Sequence, residues 1–217
     1  MLIDSHTHNL NESDKIEQVY ICDPLNILIP KNSYFCIGAH PWFIEKINLQ
    51  ELSKEISIYV NHKKFFGIGE IGLDKALNTP IDKQKEVFES QINLAKKLKT
   101  NIIIHSVRSY NEIYQCLKKT KFDNKVIFHD YNSSLETTIQ FQKVYDVYFS
   151  FGSSLFRKNS KTPHLLKNIS IEKILLETDS QHTFDIDSVY NRASKILGID
   201  KKTLTLQLKK NFNLLKK

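Results

Sequence analysis

Short, almost continuously apolar runs alternate along the chain with stretches whose apolar residues recur at helical spacing. The runs are rich in β-branched and aromatic residues, which is typical of strands that are buried on both faces. They predict strands over residues 2–6, 18–22, 34–40, 65–70, 101–105, 125–129, 147–152 and 173–179. The second strand has a competitor, because the apolar run 25–29 also fits a strand.

Helix start signals occupy several of the segments between these strands. They are Asn48 with Glu51, Thr79 with Pro80, and Ser133 with Glu136. The first and third pairs have the spacing of a capping box, and the second predicts an N-cap followed by proline at the first helical position. Apolar stripes predict further helices over residues 108–120, 186–197 and 200–215.

Regular strand–helix alternation is typical of a parallel sheet with helices packed outside it. Eight such units predict an α/β fold, a TIM-type (β/α)8 barrel that allows for slight distortion, built as one domain over residues 1–217. An open, doubly wound sheet is the alternative. No glycine-rich phosphate loop follows any predicted strand, which disfavours the dinucleotide-binding form of that alternative.

The composition is that of an ordinary globular chain, with 41% hydrophobic and 25% charged residues. No apolar run approaches the roughly 18 residues that a membrane-spanning helix needs, and no basic stretch followed by an apolar one marks a secretion signal. Cys22, Cys36 and Cys116 share no metal-type or disulfide-type spacing. We therefore expect reduced cysteines, a cytoplasmic location and no membrane partner.

The formal charge of +7 favours a polyanionic partner such as nucleic acid. Only Arg108, Arg157 and Arg192 among the basic residues are arginines, and lysine is spread along the whole chain. A general compositional bias toward lysine would produce the same excess, so the charge by itself does not identify a substrate.

Residues that commonly bind metals stand at the carboxyl ends of most predicted strands. They are His6, His8, His40, Glu70, His105, His129 and Asp179. In a barrel these ends lie on one rim, where active sites are built. Side chains two apart in a strand share a face, which groups Asp4 with the first two histidines and Glu177 with the last carboxylate.

This mixed nitrogen and oxygen set suits zinc, manganese, iron or magnesium. It exceeds what one ion needs, and two ions about 3.5–4 Å apart, bridged by Glu70, would use it fully. Each histidine taken alone is equally compatible with a hydrogen-bonded core residue. The coincidence of ligand types at one predicted rim favours the metal interpretation.

The remaining histidines, the role of His40 and the single tryptophan need separate interpretations. His62 and His164 are predicted on the surface, and His182 in a loop of undefined role. His40 precedes a proline, so it is either structural or a substrate contact. For Trp42 we favour packing within its loop over a role as a platform for stacking nucleobases.

In order, the motifs IDSHTH, IGAHPW, GIGEIGLDK, IIIHS, VIFHDYNSS, ILLETDS and KKNFNLL cover nearly the whole chain. The sequence resembles the TatD family of metal-dependent deoxyribonucleases, which are amidohydrolase-like TIM barrels. The resemblance implies that His6 and His8 bind one ion, that Glu70 is shared by two, and that His105 and His129 bind the second. It also implies that Asp179 binds metal and handles the proton of the attacking water.

The resemblance further implies hydrolysis of DNA phosphodiester bonds, in a stepwise 3′–5′ manner, with Mg²⁺, Mn²⁺ or Zn²⁺ as the two cofactor ions. We expect a monomer that acts on single-stranded DNA. Within that mechanism, Glu70 and Asp179 are the catalytic residues, His40 and Arg108 are candidates to contact phosphate oxygens, and Asp74 is a candidate to position a ligand or the substrate.

Two loops depart from the family pattern, namely HDYNSS after the sixth predicted strand and QHTFDID after the eighth. These departures leave alternatives open for the substrate. One is a metal-dependent ester or amide hydrolase, such as a D-aminoacyl-tRNA deacylase. The other is a non-catalytic protein that binds metal and a partner.

Overall fold

Eight parallel strands, ordered as they occur in the chain, make one sheet in this computed structural model, which describes residues 1–180 and 183–216. The strands are β1 (Leu2–Thr7), β2 (Ile16–Ile21), β3 (Tyr34–Ile37), β4 (Phe65–Asp74), β5 (Asn101–Val107), β6 (Val126–Phe128), β7 (Val147–Phe151) and β8 (Ile174–Leu176). A parallel bridge between Thr7 and Asp179 brings the first and last strands together. The sheet thus forms the nearly closed TIM-type barrel that the alternation predicted, and the open doubly wound alternative is wrong.

Helices follow six of the eight strands and cover the outside of the barrel, whereas β1 and β2 each lead to the next strand without a helix in the described residues between them. They are α1 (Leu49–Tyr59), α2 (Ile81–Lys97), α3 (Tyr110–Thr120), α4 (Leu135–Gln142), α5 (Thr162–Asn168), α6 (Ile186–Leu197) and α7 (Lys201–Leu215). Two short 3-10 turns lie at Ser153–Phe156 and Ile171–Lys173. Across the described ranges, no helix is both long enough and apolar enough to cross a bilayer.

Strand side chains alternate between the barrel interior and the helix layer, which gives two apolar cores. The inner core contains Ile3, Val19, Ile21, Cys36, Phe66, Ile103, Ile127, Tyr148, Leu175, Phe212 and Leu215. The larger outer core lies between the strands and the surrounding helices.

Helix α7 closes the end of the barrel where the strands begin. Phe212 stacks on Phe66 with ring centroids 5.3 Å apart and meets Tyr34 edge-on at 5.4 Å. Asn101, at the start of β5, donates its side-chain amide to the Phe66 and Leu215 carbonyls at 2.8 and 2.7 Å. All three groups of described His, Asp and Glu side chains that could hold a metal lie at the opposite rim.

Two predicted helix starts are displaced by one residue. Helix α2 has Pro80, not Thr79, at its N-cap, and no side chain caps it. Helix α4 is capped by Ser134, whose hydroxyl accepts from Thr137 N, and not by Ser133, which is buried. Asn48 caps α1 as predicted, and its side chain accepts from the Gln50 and Glu51 amides.

Several strands end at places other than those predicted. β3 stops at Ile37, because Gln91 from α2 takes over the Ala39 amide and carbonyl with its side chain. β8 stops at Leu176 and β6 at Phe128, so their ligand-type residues lie just beyond the strands. β4 runs past Glu70 to Asp74, which places that glutamate inside the strand.

Candidate metal centre

Glu70 reaches the centre of the rim through an irregularity in β4. Ile68 pairs with Ile102, whereas Ile71 pairs with Ile104, so β4 carries one extra residue against β5. Such a bulge bends a strand and redirects a side chain. The Glu70 side chain is only 4% exposed. The bulge therefore directs it toward the rim, although β4 continues beyond it to Asp74.

The backbone comes unusually close beside this bulge. A Cβ at Gly72 would lie 2.0 Å from the His105 carbonyl oxygen, and its φ of +153° favours glycine. Only glycine allows β4 and β5 to approach so closely at the level of the ligand-type residues.

One oxygen of Glu70 faces three imidazoles. Glu70 Oε1 lies 2.7 Å from His129 Nε2, 2.8 Å from His105 Nδ1 and 3.3 Å from His40 Nε2. The other oxygen faces a different group, with Glu70 Oε2 at 3.2 Å from His6 Nε2 and 3.5 Å from His8 Nε2. The carboxylate thus stands between two sets of nitrogen donors.

Asp179 completes the set around His6 and His8. Its Oδ1 lies 3.6 Å from the Nε2 atom of each histidine. The residue has a positive φ of 55°, and its amide donates to the His6 carbonyl at 2.9 Å. The end of β8 is therefore tied to β1, and the side chain is fixed beside both histidines.

Two observations fit these residues to metal ions. His6 is 1% exposed, yet its Nδ1 has no hydrogen-bond partner among the described residues, and its Nε2 lies 3.2 Å from Glu70 Oε2 without the geometry of a hydrogen bond. Buried polar atoms are normally satisfied, so such atoms call for a ligand. The donor atoms form three groups, and within each group they lie within 4.8 Å of one another. The groups are His6–Glu70–His129, His6–His8–Asp179 and His40–Glu70–His105. Imidazole with carboxylate is a donor set for zinc, manganese or iron.

Asp74 supports one of the donor histidines from behind. Its Oδ2 lies 3.4 Å from His105 Nε2 and accepts from Trp42 Nε1 at 3.0 Å. Its Oδ1 accepts from Ala76 N at 2.8 Å. A carboxylate on the far nitrogen of a metal-binding imidazole fixes its tautomer and orientation.

Glu177 has the same relation to His129 and was not assigned a role from the sequence. Its Oε1 lies 3.5 Å from His129 Nδ1 and accepts from Asp130 N at 2.7 Å. The side chain is fully buried. Its position two residues before Asp179 was the available signal, although both carboxylates lie beyond the end of β8.

Burial and opposite charge compete within the cluster. Burial raises the pKa of Glu70, but His129 and His6 outweigh it and hold that pKa well below its usual value. Burial lowers the pKa of His129, but Glu70 and Glu177 raise it well above the usual range. Burial prevails at His40 and lowers its pKa. The cluster therefore favours an ionised Glu70 beside a protonated His129.

The structure gathers the six predicted metal ligands and His40 in one place, but separates Asp4 from them. The Asp4 carboxylate accepts from Thr178 N at 3.0 Å and Thr178 Oγ1 at 2.6 Å. The predicted shared face fails because the register of β1 shifts between Asp4 and Thr7. Arg108 is exposed with a φ of 53° and does not line the cavity at the cluster.

His62 and His164 lie on the surface as predicted, and His182 falls outside the described residues. Trp42 packs edge-on against His40 of its own loop, with ring centroids 4.9 Å apart, but 61% of its surface is exposed. It lies at the edge of a cavity of about 320 Å³ whose floor includes Glu70, His105 and Asp179. The predicted packing within the loop is therefore limited to the contact with His40, and most of the side chain is left exposed.

Comparisons with known proteins agree with this arrangement. The family model described as TatD related DNase matches residues 25–215. The YabD protein of Bacillus subtilis, an uncharacterized metal-dependent hydrolase, is 36% identical over 153 residues, which cover 67% of this chain and 58% of YabD. The matched part of the chain thus spans little more than half of that relative.

A human relative, the 3′-5′ RNA nuclease TATDN2, is 27% identical over 150 residues, covering 67% of this chain and 20% of that protein. Among solved structures, the Escherichia coli TatD homologue YJJV superposes with a TM-score of 0.85 at 20% identity, covering 99% of this chain and 97% of YJJV. At that identity the likeness concerns the fold.

Proposed function

This chain belongs to the TatD-related DNase family, and on that premise we propose that it is a divalent-metal-dependent hydrolase that cleaves phosphodiester bonds in single-stranded DNA. One observation carries the proposal. The two oxygens of the Glu70 carboxylate face two separate groups of imidazoles at 2.7–3.5 Å. A carboxylate shared in this way is what a two-ion centre requires.

The chain offers a donor set for each ion. His6, His8 and Asp179 would hold one ion, and His105 and His129 the other, with Glu70 shared between them. When bound, the ions supply Lewis-acid stabilisation of charge on the phosphoryl oxygens and lower the pKa of a water molecule. Magnesium, manganese and zinc all remain candidates for this set.

Asp179 is the residue best placed to accept a proton from the attacking water. It is less buried than Glu70, with 30% of its side chain exposed against 4%, so one of its oxygens is within reach of the substrate side. Asp74 and Glu177 orient His105 and His129 so that their free nitrogens face Glu70. His40 Nε2, in the same cluster, is positioned to donate to a non-bridging phosphate oxygen.

Two features support nucleic acid as the substrate. The chain carries a formal charge of +7, which favours a polyanion, and the human relative bears the name of a 3′-5′ RNA nuclease. Deoxyribonuclease activity with 3′–5′ polarity is the specific form that we propose, and RNA is the competing substrate.

The test uses the purified chain reloaded with Mg²⁺, Mn²⁺ or Zn²⁺ and offered end-labelled single-stranded DNA, RNA of the same sequence, and a D-aminoacyl-tRNA. We expect stepwise shortening of the DNA that a chelator abolishes. Asp179→Asn should reduce kcat by about 10²–10⁴-fold, the range for a positioned proton acceptor. Asp82→Asn is the matched control, because that side chain is 87% exposed on α2.

Release of the amino acid without cleavage of either nucleic acid would replace the phosphodiesterase proposal with ester hydrolysis. Failure of all three substrates, with metal bound, would favour a non-catalytic role. Near-normal turnover in Asp179→Asn would remove Asp179 as the proton acceptor.

A further inference from the structure

The Trp42 ring is held at its edge and left open to solvent. Its Nε1 donates to Asp74 Oδ2 at 3.0 Å, and its backbone amide donates to His40 Nδ1 at 3.1 Å. The His40 and Trp42 rings meet at 84° with centroids 4.9 Å apart. Despite these contacts, 61% of the tryptophan surface is exposed.

These contacts orient the indole before any ligand binds. Both hydrogen bonds lead back to the metal centre, since Asp74 also faces His105 and His40 also faces Glu70. Single exposed apolar side chains are common on protein surfaces. Trp42 differs because hydrogen bonds fix it at the wall of the cavity over the donor cluster, which singles it out for contact with a ligand. An aromatic side chain has only two torsions, and here a hydrogen bond already fixes it. It therefore loses little conformational entropy when a planar group stacks on it.

The cavity beside Trp42 suits an uncharged, planar group. Its volume of about 320 Å³ lies at the lower end for small-ligand sites, which span roughly 300–1,000 Å³. Away from the cluster its walls include Ile21, Cys22, Pro24 and Phe43, and no lysine or arginine lines it within the described residues. The charged side chain on that wall outside the cluster is Asp23, which repels phosphate.

We propose that Trp42 stacks on the base of the terminal nucleotide of the substrate, whose adjoining phosphodiester lies over the metal cluster. The inference rests on the proposed nucleic-acid substrate and adds a specific subsite to it. The cavity has room for one nucleoside, the indole face supplies sequence-independent stacking, and the scissile phosphate would lie against the ions that Glu70 and its imidazoles would hold. An unpaired terminal base is required, because a paired base would bring its partner base into a cavity with room for one nucleoside.

Kinetics with matched oligonucleotides test the stacking directly. On a normal single-stranded oligonucleotide, Trp42→Leu should raise KM by roughly 5- to 150-fold, the range that stacking contributes per base, and leave kcat nearly unchanged. On an oligonucleotide with an abasic terminal nucleotide, the same substitution should change KM little. Ile58→Ala is the control, since Ile58 is similarly exposed, at 67%, but lies on α1 away from the cavity.

Trp42→Phe separates stacking from anchoring. Phenylalanine keeps an aromatic face but loses the N–H that Asp74 accepts, so KM for the normal oligonucleotide should stay within about threefold of the parent. An equal rise in KM on base-bearing and abasic substrates in Trp42→Leu would overturn the proposal and leave the tryptophan a structural role. No rise on either substrate would overturn it as well.

A binding measurement gives an answer that does not depend on turnover. Trp42 is the single tryptophan of the chain, so intrinsic fluorescence reports on it alone. With Mg²⁺ present, thymidine 5′-monophosphate should quench this fluorescence, and 2-deoxyribose 5-phosphate should not. Equal quenching by both, or by neither, would contradict stacking. If the chain cleaves no phosphodiester, the proposed function is wrong. The quenching experiment still tests whether a nucleobase stacks on Trp42.

Discussion

The two ends of this barrel are built from opposite chemistry. Where the strands begin, α7 closes the interior with Phe212 and Leu215 against the aromatic rings of Tyr34 and Phe66. Where the strands finish, buried imidazoles surround a buried carboxylate. The first end gains free energy from apolar burial, whereas the second places polar groups where burial is costly unless they have ligands.

This difference indicates that one end of the barrel mainly determines stability and the other mainly determines function. The closed end should control whether the chain folds, and the polar rim should control what it binds. Substitutions at one end should therefore leave the property of the other end nearly intact, and the following predictions are ways to test that separation.

The largest effect is expected at the rim, from Glu70→Gln. The amide keeps the shape but removes the charge that faces both groups of imidazoles, so bound metal should fall and turnover should drop by about 10³-fold or more. Metal analysis and kcat measure this, with the exposed Glu55→Gln on α1 as control. Full metal content in Glu70→Gln would show that the carboxylate is not shared.

At the closed end, Phe212→Ala should reduce the free energy of unfolding by about 3–5 kcal/mol, because a fully buried ring leaves a cavity. Urea denaturation measures the loss, and metal content of the folded fraction should stay unchanged. Leu214→Ala, in the same helix but 60% exposed, should cost less than about 0.5 kcal/mol. A loss of metal from folded Phe212→Ala would show that the two ends of the barrel are energetically coupled, contrary to this prediction.

A smaller effect is expected from Asp74→Asn, which weakens the support of His105. Removing a carboxylate partner of a metal-binding imidazole typically costs about 10–100-fold in metal affinity. Competition with a chelating dye measures that affinity, and unfolding by urea should stay close to the parent. An unchanged affinity would mean that the 3.4 Å contact between Asp74 and His105 does not orient the ring.

The mildest prediction concerns the thiols. Burial raises the pKa of Cys22 to about 12. Burial, with a smaller contribution from the neighbouring Glu89, raises the pKa of Cys116 to about 12, and burial raises the pKa of Cys36 well above its usual value. At pH 8 all three should stay protonated and resist Ellman's reagent until the chain unfolds. Because the unfolded thiols lose protons first, the free energy of unfolding should fall as pH rises above about 9. Rapid labelling of the folded chain at pH 8 would contradict the burial of these groups.

Much of this arrangement could be predicted from the sequence, for identifiable reasons. Apolar runs bounded by helix signals predicted every strand, and ligand types near the strand ends predicted the composition of the cluster. The failures have local causes. Asp4 was grouped with His6 by simple alternation, but a register shift in β1 breaks that alternation. Glu70 was placed at a strand end, but a bulge directs it there from inside β4.

Other features depend on contacts that no local pattern encodes. The exposure of Trp42 follows from its hydrogen bond to Asp74, which lies 32 residues further along the chain. The end of β3 follows from Gln91, a side chain on α2 that replaces a neighbouring strand. Bulges and side-chain substitutes for backbone pairing are decided by tertiary packing, so alternation and propensity miss them.

The shared role of Glu70 is tested most directly by anomalous diffraction from crystals of the parent chain grown with Mn²⁺. We expect two anomalous peaks, one beside His6, His8 and Asp179 and the other beside His105 and His129, with Glu70 between them. A single peak, or peaks away from Glu70, would contradict a two-ion centre at this rim.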